Sequence, residues 1–354
     1  MFTAEFDGIN SFLIGMSKTF LEHRVLRITR KQRCWELPSP IIVKINNPQS
    51  RWITIPNRCW NMFLPYAESL WLALGRNDLK LVKYYLPQLE EFSDDRKYVR
   101  GGYGPRLRCY NGNSNDYKKA WENNEVIFQS KEVDQFYYII KCFERDPFTR
   151  RAVITIGDPP KDCFDNINLL KKTKDLPCTR LLQFMRNPEN NKLNLTVYMR
   201  SNDFIWGASA VNIFNYTFMQ EYFAKMLNLE VGTYYHIANN FHYYEEKHQV
   251  LVEQLAEYKD VKDESYSYKT TFKDLSGFDS LIKNLGKWEN EIRSKGTKDL
   301  IDFKDDFIND WAKVLYLKNF NKKVEFINPI LNQLADNYLN KIIKNGRKTS
   351  KRNY

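Results

Sequence analysis

A strand pattern followed closely by a helix pattern constrains the fold more than any other feature of this sequence. Residues 193–199 (LNLTVYM) alternate apolar and polar side chains with the period of two that is typical of a half-buried strand. Residues 212–228 (NIFNYTFMQEYFAKMLN) space their apolar side chains as an amphipathic helix with a wide apolar stripe does. Residues 152–156 (AVITI) predict a buried strand, and residues 66–86 predict a helix that is interrupted at Gly75. Strands and helices in this mixed order predict an α+β fold.

The composition is that of a globular protein, and it changes along the chain. Of the 354 residues, 43% are hydrophobic and 27% are charged, which allows a substantial core. No stretch approaches the 18 consecutive apolar residues of a membrane span, and the N-terminus lacks the pattern of a secretory signal. After residue 255 the chain becomes rich in Lys, Asp, Asn and Leu. We therefore predict a mixed-sheet domain over 1–255, an appended helical extension over 256–340 and a basic tail over 341–354, with no membrane partner.

The charge and the cysteines narrow the environment and the partners. Six of the basic residues behind the net charge of +11 lie in the last fourteen residues, where there is no acid. A solvated end is the simplest interpretation of this tail, and binding of a nucleic acid or another polyanion is the alternative. The six cysteines are scattered without a CxxC pair. We therefore expect a reducing cytoplasm, with neither a disulfide framework nor a metal site.

Three separated segments contain residue types that catalysis uses. They are 146–156 (DPFTRRAVITI), 176–184 (LPCTRLLQF) and 200–216 (RSNDFIWGASAVNIFNY), which continues to 236–244 (HIANNFHYY). Each is weak alone, because a Pro-Cys step is more often a packed thiol and an Asn at a helix start is ordinarily a cap. Together, in this order and spacing, they resemble the thymidylate synthase family from about residue 60 to about residue 250.

The resemblance depends on short motifs distributed along the chain. They are Pro177-Cys178 with Gln183-Phe184, Arg200-Ser201 with Asp203, Gly207, Asn212-Ile213, LEVG at 229–232, His242 with Tyr244, AESLW at 67–71, which contains Glu68, and YGPRLR at 103–108, which contains Tyr103. The resemblance implies a thymidylate-synthase-like mixed-sheet core flanked by helices, with residues 1–255 as the catalytic domain and the helical extension after it.

The same resemblance implies a role for each residue. The catalytic residues would be Cys178 as nucleophile, with Glu68, Tyr103 and Asp203. The substrate-binding residues would be Arg150, Arg151, Arg200, Ser201, Asn212, His242 and Tyr244, and the cofactor-binding residues Asp203 and Gly207. The cofactor would be 5,10-methylenetetrahydrofolate and the substrate a pyrimidine nucleotide monophosphate. The resemblance also implies a homodimer with shared active sites, in which Arg150 and Arg151 reach the phosphate bound by the neighbouring subunit.

Physical chemistry agrees with these roles. The C6 atom of a pyrimidine is only weakly electrophilic, so its attack requires a thiolate, which nearby arginines favour. A 5′-phosphate is bound best by planar, bidentate donors, which Arg supplies and Lys does not. A carboxyl such as that of Glu68 manages protons around the base through water. Each of three residues also has a purely structural interpretation: a surface acid for Glu68, a helix cap for Asp203 and a packed imidazole for His242.

Several departures from ordinary thymidylate synthases favour one reaction. Residues 87–102 contain no tryptophan, Thr179 replaces the usual His after the nucleophile, and Met199 replaces the usual Gln. The Cys-Thr and MRSND sequences look like those of phage deoxycytidylate hydroxymethylases, a branch of the same family. The short closing C-terminus of the family is replaced by about a hundred other residues. Because excluding water directs the reaction toward hydride transfer, an open site favours hydroxymethyl transfer over methylation.

The choice of base depends on Asn212. A carboxamide can donate to O4 of uracil and accept from its N3–H, whereas the cytosine-using branch has Asp at this position. One residue more than usual separates Gly207 from Asn212. The leading hypothesis is hydroxymethylation of dUMP, with thymidylate synthesis or dCMP hydroxymethylation as alternatives. A further hypothesis is a family member that was recruited as a binding protein and acts through its helical extension and basic tail. The sequence does not distinguish a ribose from a deoxyribose in the substrate.

Overall fold

Two β-sheets and eleven α-helices organise the described chain. The computed structural model of the protein describes residues 1–29, 31–121, 132–297 and 299–350, with side chains up to residue 343. The strands are β1 Phe2–Phe6, β2 Val25–Thr29, β3 Gln32–Glu36, β4 Ile41–Ile45, β5 Val153–Thr155, β6 Thr179–Arg186, β7 Leu193–Met199, β8 Asn202–Asp203, β9 Val231–Ala238 and β10 Phe241–Tyr244. The helices are α1 Ile9–His23, α2 Phe63–Ala73, α3 Leu79–Tyr85, α4 Tyr103–Arg108, α5 Gln135–Arg145, α6 Pro159–Asp162, α7 Ile213–Met226, α8 Glu245–Ala256, α9 Leu275–Lys295, α10 Asp306–Phe320 and α11 Pro329–Ser350.

The larger sheet has six strands in the order β1-β4-β9-β7-β6-β5, and the smaller has the order β2-β3-β10-β8. In the larger sheet β7 pairs in parallel with β9 and antiparallel with β6. Strand β7 alternates fully buried and half-buried residues, as its sequence predicts, and β5 lies within the predicted buried strand. Helices α2 and α3 are separated at Gly75, which has a φ of +68°. The prediction of an α+β fold with a mixed sheet is confirmed.

The helix predicted at 212–228 is present as α7, but its predicted amphipathicity was wrong. Every residue of α7 except Lys225 is buried. Its polar side chains are paired: Glu221 forms a fully buried ion pair with Arg51 over 2.6 Å. The polar side that we expected to face water packs instead on α2 and the larger sheet, where Ser69 donates to Asn215 over 2.9 Å and Gln220 donates to the carbonyl of Leu193 over 2.8 Å. The sequence of α7 alone cannot reveal these partners, because Arg51 and Ser69 are both more than a hundred residues away along the chain.

The C-terminal helices pack on the elements that carry the predicted site. The indole of Trp311 in α10 donates to the carbonyl of Tyr66 in α2 over 2.8 Å. Asp279 in α9 forms an ion pair with Arg108 of α4 at 2.8 Å. Of the predicted basic tail, Lys341 lies against Cys59, with 3.4 Å between Nζ and Sγ. Its other basic side chains (Lys344, Arg347, Lys348, Lys351 and Arg352) lie outside the described ones. No helix in the described ranges is long and apolar enough to cross a membrane.

The strand directions bring several predicted residues to one edge of the larger sheet. Strand β6 runs antiparallel to β7, and β9 runs parallel to β7. The start of β6 and the ends of β7 and β9 therefore lie side by side. The backbone confirms this, because Arg200 N donates to the Cys178 carbonyl over 2.9 Å and Asn239 N donates to the Met199 carbonyl over 3.0 Å.

Candidate active site

The nucleophile predicted at Cys178 lies at this sheet edge beside a guanidinium. Arg200 donates through Nε to the carbonyl of Pro177 over 3.0 Å and through Nη2 to that of Leu176 over 2.8 Å. The same Nη2 lies 3.7 Å from Cys178 Sγ. A cation at this distance favours a thiolate over a thiol. Arg200 thus stabilises the turn that precedes β6 and places a positive charge next to the sulfur of Cys178.

Tyr103 lies on the other side of the turn. Its hydroxyl accepts a hydrogen bond from the backbone N–H of Thr179 over 3.2 Å. Burial, followed by the nearby Cys178, raises the pKa of the Tyr103 hydroxyl above its ordinary value. The Thr179 hydroxyl is hydrogen-bonded to the hydroxyl of Tyr216 in α7. The residue that replaces the family's usual His therefore makes its contact inward with α7.

Glu68 is the carboxyl for which an acid–base role is predicted. It lies on α2, and burial raises the pKa of its carboxyl to about 7, against a smaller opposing effect of a hydrogen bond from Asn215. The Asn215 amide is held by the hydroxyl of Ser69, which donates to its Oδ1 over 2.9 Å. A carboxyl with a pKa near neutrality can both donate and accept a proton at neutral pH.

Ser201 and His242 share one amide partner. Asn240 Oδ1 accepts from Ser201 Oγ over 3.0 Å and lies 2.8 Å from His242 Nδ1. Asn240 Nδ2 donates to Glu36 Oε2 over 2.7 Å, which fixes the orientation of the amide. Burial lowers the pKa of His242 to about 4, so the imidazole is neutral at pH 7. Its proton therefore lies on Nδ1, and Nε2 is left as an acceptor for a hydroxyl group. Tyr244 lies beside it, edge-on at 5.5 Å between ring centroids.

Asn212 is the last member of a second chain of hydrogen bonds. Its Oδ1 accepts from Asn202 Nδ2 over 2.9 Å. Asn202 Oδ1 lies 2.9 Å from His236 Nε2, and His236 Nδ1 lies 2.9 Å from the Tyr234 hydroxyl. Residues 204–212 form a π-helical segment before α7. Because a π-helical turn takes one residue more than an α-helical turn, this segment accommodates the extra residue between Gly207 and Asn212.

Asp203 is the N-cap of the π-helical segment. Helix capping is the structural role that the sequence offered as the alternative for this residue. Its Oδ1 accepts from the backbone N–H groups of Ile205 and Trp206 over 2.8 and 2.7 Å. Burial raises the pKa of Asp203 to about 6, against those two hydrogen bonds and the charge of Arg58. Burial also lowers the pKa of Arg58 to about 10. A capping role does not exclude the predicted role in cofactor binding, which stays a prediction.

Gly207 packs against the side-chain amides of Asn202 and Asn212. A Cβ at this position would lie 2.5 Å from Asn202 Nδ2 and 3.0 Å from Asn212 Oδ1. The backbone of the segment thus approaches the hydrogen bond between the two amides as closely as glycine allows. The cofactor role predicted for Gly207 also stays a prediction, and its contact with the amides is a role that the sequence did not indicate.

Arg150 and Arg151 are far from the Cys178 of their own chain. Both are exposed and precede β5, whose Val153 pairs with Gln183 of β6. Arg151 therefore lies about seven residues along β6 from Cys178, or roughly 20 Å at the rise of a strand. The structure brings the other predicted site residues to the sheet edge and to the elements around it, but not these two. Arg150 and Arg151 could therefore contribute only to the site of a second subunit.

Two tryptophans border the π-helical segment. The indole of Trp60 donates to the carbonyl of Ala210 over 2.9 Å, and Trp206 is 43% exposed. Trp60 also lines a cavity of about 500 Å³ between residues 53–63 and helices α10 and α11. None of the predicted site residues lines this cavity. Tryptophans are thus close to the site although residues 87–102 have none.

Sequence reasoning missed the residues that orient the predicted ones. They are Asn215 beside Glu68, Asn240 between Ser201 and His242, Glu36 behind Asn240, and His236 behind Asn202. For two of them the spacing along the chain was an available signal. His236 lies on the same face of β9 as Tyr234, and Asn215 lies one helical turn after Asn212. Asn202 and Asn240 have no local signature.

A thiol beside a guanidinium, a carboxyl that titrates near neutrality and a cradle of amides and imidazoles together define a candidate site for covalent catalysis. Comparison with known proteins gives the family. The sequence profile of thymidylate synthase matches residues 52–280, about two thirds of the chain. The chain belongs to the thymidylate synthase family, as its motifs predict.

Individual relatives come from two groups within this family. The deoxyuridylate hydroxymethyltransferase of Bacillus phage SP01 is 37% identical over 205 residues, 58% of this chain and 49% of that protein. The protein of the same name from Pseudomonas phage M6 is 31% identical over 222 residues, 63% of this chain and 56% of that protein. A putative thymidylate synthase of Methanosarcina mazei is 28% identical over 182 residues, 51% of this chain and 69% of that protein. The chain spans about half the length of the two phage proteins.

Proposed function

We propose that the protein hydroxymethylates dUMP at C5 through a covalent adduct between Cys178 and C6 of the base. The observation that carries this proposal is the convergence of two groups at one sheet edge. One is Cys178, 3.7 Å from the Arg200 guanidinium, and the other is Asn212, whose carboxamide is held by Asn202. The similarity to two phage proteins that are named deoxyuridylate hydroxymethyltransferases supports the same substrate.

The chain's own residues can perform the first step. The Cys178 thiolate adds to C6, and the electrons of the C5–C6 double bond move toward O4, where negative charge develops. Glu68, with its pKa near 7, supplies a proton to that side of the base through water and later removes one. Tyr103 orients the turn that holds the sulfur, through its bond to Thr179 N. Arg200 is the candidate for the 5′-phosphate, because its guanidinium can exchange carbonyl partners for a charged one.

The folate substrate would bind near Asp203 and Arg58. Arg58 is half-buried, and its buried Nε has no hydrogen-bond partner among the described residues. A guanidinium with an unused donor beside the Asp203 carboxyl suits a ligand with both amino and carboxylate groups. When bound, 5,10-methylenetetrahydrofolate supplies the one-carbon unit to C5.

The product depends on whether water or a hydride reacts with the one-carbon unit attached to C5. In hydroxymethylation a water molecule supplies the hydroxyl, Cys178 leaves C6 and the folate keeps its oxidation state. In methylation the folate supplies a hydride and is oxidised to dihydrofolate. Thr179, which stands where the family usually has His, is hydrogen-bonded inward to Tyr216, so the residue after the nucleophile supplies no imidazole. This supports hydroxymethylation.

Thymidylate synthesis is the second candidate, and one observation favours it. Trp206 is 43% exposed in the segment that Asp203 caps, where an indole can shield a reactive intermediate from water. Cytosine nucleotides are less favoured, because the carboxamide of Asn212 is complementary to uracil in the orientation shown.

Mass spectrometry of the product tests both the base and the reaction. The protein is incubated with 5,10-methylenetetrahydrofolate and, separately, with dUMP, dCMP, UMP or CMP. We expect a gain of CH₂O on dUMP with tetrahydrofolate as co-product. A gain of CH₂ with dihydrofolate would establish thymidylate synthesis instead. Unchanged nucleotides in all four reactions, with a folded protein, would contradict both.

A further inference from the structure

A buried chain of three side chains ends at the proposed base reader. It runs from the Tyr234 hydroxyl to His236, from His236 to Asn202 and from Asn202 to Asn212, with 2.9 Å at each step. Tyr234 and His236 are fully buried, and Asn202 is 3% exposed. Solvent therefore does not compete for the first two hydrogen bonds, while the third leads to the half-buried Asn212. The state of each member depends on the next.

The chain has two possible senses. In the forward sense, Tyr234 donates to His236 Nδ1, His236 donates from Nε2 to Asn202 Oδ1, and Asn202 Nδ2 donates to Asn212 Oδ1. In the reverse sense every donor becomes an acceptor. The Tyr234 oxygen then accepts from His236, and its own hydrogen must find another acceptor inside the protein.

Counting donors selects the forward sense. The hydrogen bond that the structure describes for the Tyr234 hydroxyl is the one to His236. The forward sense uses its hydrogen, whereas the reverse sense leaves that hydrogen in a fully buried place, which costs free energy. Burial lowers the pKa of His236 to about 4, so the imidazole has one N–H and cannot donate on both sides. That N–H then lies on Nε2, toward Asn202.

The forward sense fixes what Asn212 presents to a base. Its Oδ1 lies beside Asn202 and keeps one lone pair, while Nδ2 keeps its hydrogens. A uracil edge, with an acceptor at O4 and a donor at N3, matches this order of atoms. A cytosine edge requires the same amide turned by 180°, which would bring the Asn212 Nδ2 hydrogens against those of Asn202.

Gly207 keeps the two amides in this arrangement. Its α-carbon packs so closely that a Cβ would lie 2.5 Å from Asn202 Nδ2. A larger residue would have to separate the two amides, because the neighbouring atoms belong to the hydrogen bond itself. The π-helical turn that contains Gly207 thus places Asn212 within reach of Asn202 and closes over their contact.

We propose that Tyr234, His236 and Asn202 act as positioning residues that lock the Asn212 amide in the orientation that reads uracil and thereby reject cytosine. The proposal depends on the proposed function, because it concerns the base that the same site binds. Asn212 contacts the base, and the other three act through it.

Replacing Asn202 tests the proposal without altering the reader. In Asn202→Asp the ionised carboxylate only accepts, from His236 on one side and from Asn212 Nδ2 on the other, so the Asn212 amide must turn. We expect the ratio of the dissociation constants for dCMP and dUMP to change in favour of dCMP by about tenfold or more. Calorimetric titration with each nucleotide, without folate, measures this ratio independently of turnover.

Tyr234→Phe is the second variant, in case a buried carboxylate prevents folding. It removes the hydroxyl that selects the His236 tautomer, so both amide orientations become accessible and selectivity falls by several-fold. Tyr85→Phe is the matched control, because it also removes a buried hydroxyl, one that donates to Glu289 over 3.1 Å in α9. Its selectivity should equal that of the wild type.

The outcomes separate the positioning role from a structural one. Equal loss of affinity for dUMP and dCMP in both variants would mean that the chain only supports the fold, and would overturn the proposal. A wild type that prefers dUMP while Asn202→Asp keeps that preference would overturn the proposal and leave the proposed function intact. A folded wild type that binds neither nucleotide would overturn both.

Discussion

Two regions of the site use opposite strategies for their polar groups. We call Cys178, Tyr103 and Glu68 the catalytic wall, and Ser201, Asn212 and His242 the recognition wall. Burial in the catalytic wall raises the pKa of Glu68 to about 7, a value at which a carboxyl can both donate and accept a proton at neutral pH.

The recognition wall is instead made of neutral groups whose donors and acceptors are assigned in advance. Burial lowers the pKa of His242 to about 4. Asn240 is hydrogen-bonded to three side chains and Asn202 to two. The difference suggests that reactive groups are left free to change protonation state, while recognition groups are prevented from doing so. Substitutions in the catalytic wall should therefore change turnover, and those in the recognition wall affinity and selectivity.

Removal of the nucleophile should have the largest effect. In Cys178→Ala no covalent bond to C6 can form, and we expect kcat to fall by about 10⁴-fold or more. Affinity for dUMP should change only a few-fold, because Arg200 and the recognition wall supply most of the ground-state binding. Single-turnover kinetics and calorimetry measure the two quantities. Near-normal product formation by this variant would remove Cys178 from the catalytic wall.

Glu68→Gln should reduce kcat by about 10²- to 10⁴-fold, the usual contribution of a general acid–base group. The wild-type pH–rate profile should bend near pH 7, and the variant should lose that bend. Stability gives an independent measurement with a definite sign. The folded state holds the Glu68 proton more tightly than the unfolded chain, so wild-type stability falls as pH rises from the ordinary value of 4.5 to about 7.

The glutamine variant lacks this pH-dependent loss of stability. Its melting temperature relative to the wild type should therefore be higher at about pH 8 than at about pH 5. Glu36→Gln is a control: a hydrogen bond from Arg27 lowers the pKa of Glu36 below its ordinary value of 4.5, so the melting temperature of this variant relative to the wild type should be the same at both pH values. For Glu68→Gln, an equal difference in melting temperature at both pH values would contradict the assignment of a raised pKa to Glu68.

Arg151→Ala tests whether a second subunit completes the site. We expect a loss of about 10- to 100-fold in kcat/KM, typical of losing a charge-assisted contact to phosphate. Mixing this variant with Cys178→Ala and allowing subunits to exchange should restore about a quarter of wild-type activity, because half of the dimers are mixed and each has one intact site. A fully active monomer in sedimentation would exclude shared sites.

The sequence could predict the parts of this site that are encoded locally. The alternation of 193–199 predicts β7, and the motif residues Cys178 and Arg200 are adjacent because β6 and β7 are antiparallel. It could not predict the burial of the polar side of α7, since the partner side chains of Arg51 and Ser69 are distant in sequence.

The orienting amides were also out of reach of the sequence. Asparagine occurs often in turns and caps, and nothing near Asn202 or Asn240 in the chain indicates a hydrogen-bond hub. Their function arises only when β8 and β10 pair, with Phe241 opposite Asn202. Long-range pairing thus decides which of many polar residues become part of the recognition wall.

The smallest expected effect is an absence of pH dependence in the recognition wall. His242 and His236 both have a pKa lowered by burial to about 4, so neither changes charge above about pH 6. Between about pH 7 and about pH 8.5 the nucleotide phosphate is doubly charged as well. The dissociation constant of dUMP should therefore stay within about twofold over this range, measured on Cys178→Ala so that no adduct forms. In the same range kcat of the wild type should change as Glu68 titrates. If nucleotide affinity instead changes in parallel with kcat, a group of the recognition wall titrates near neutrality, and the division between the two walls fails.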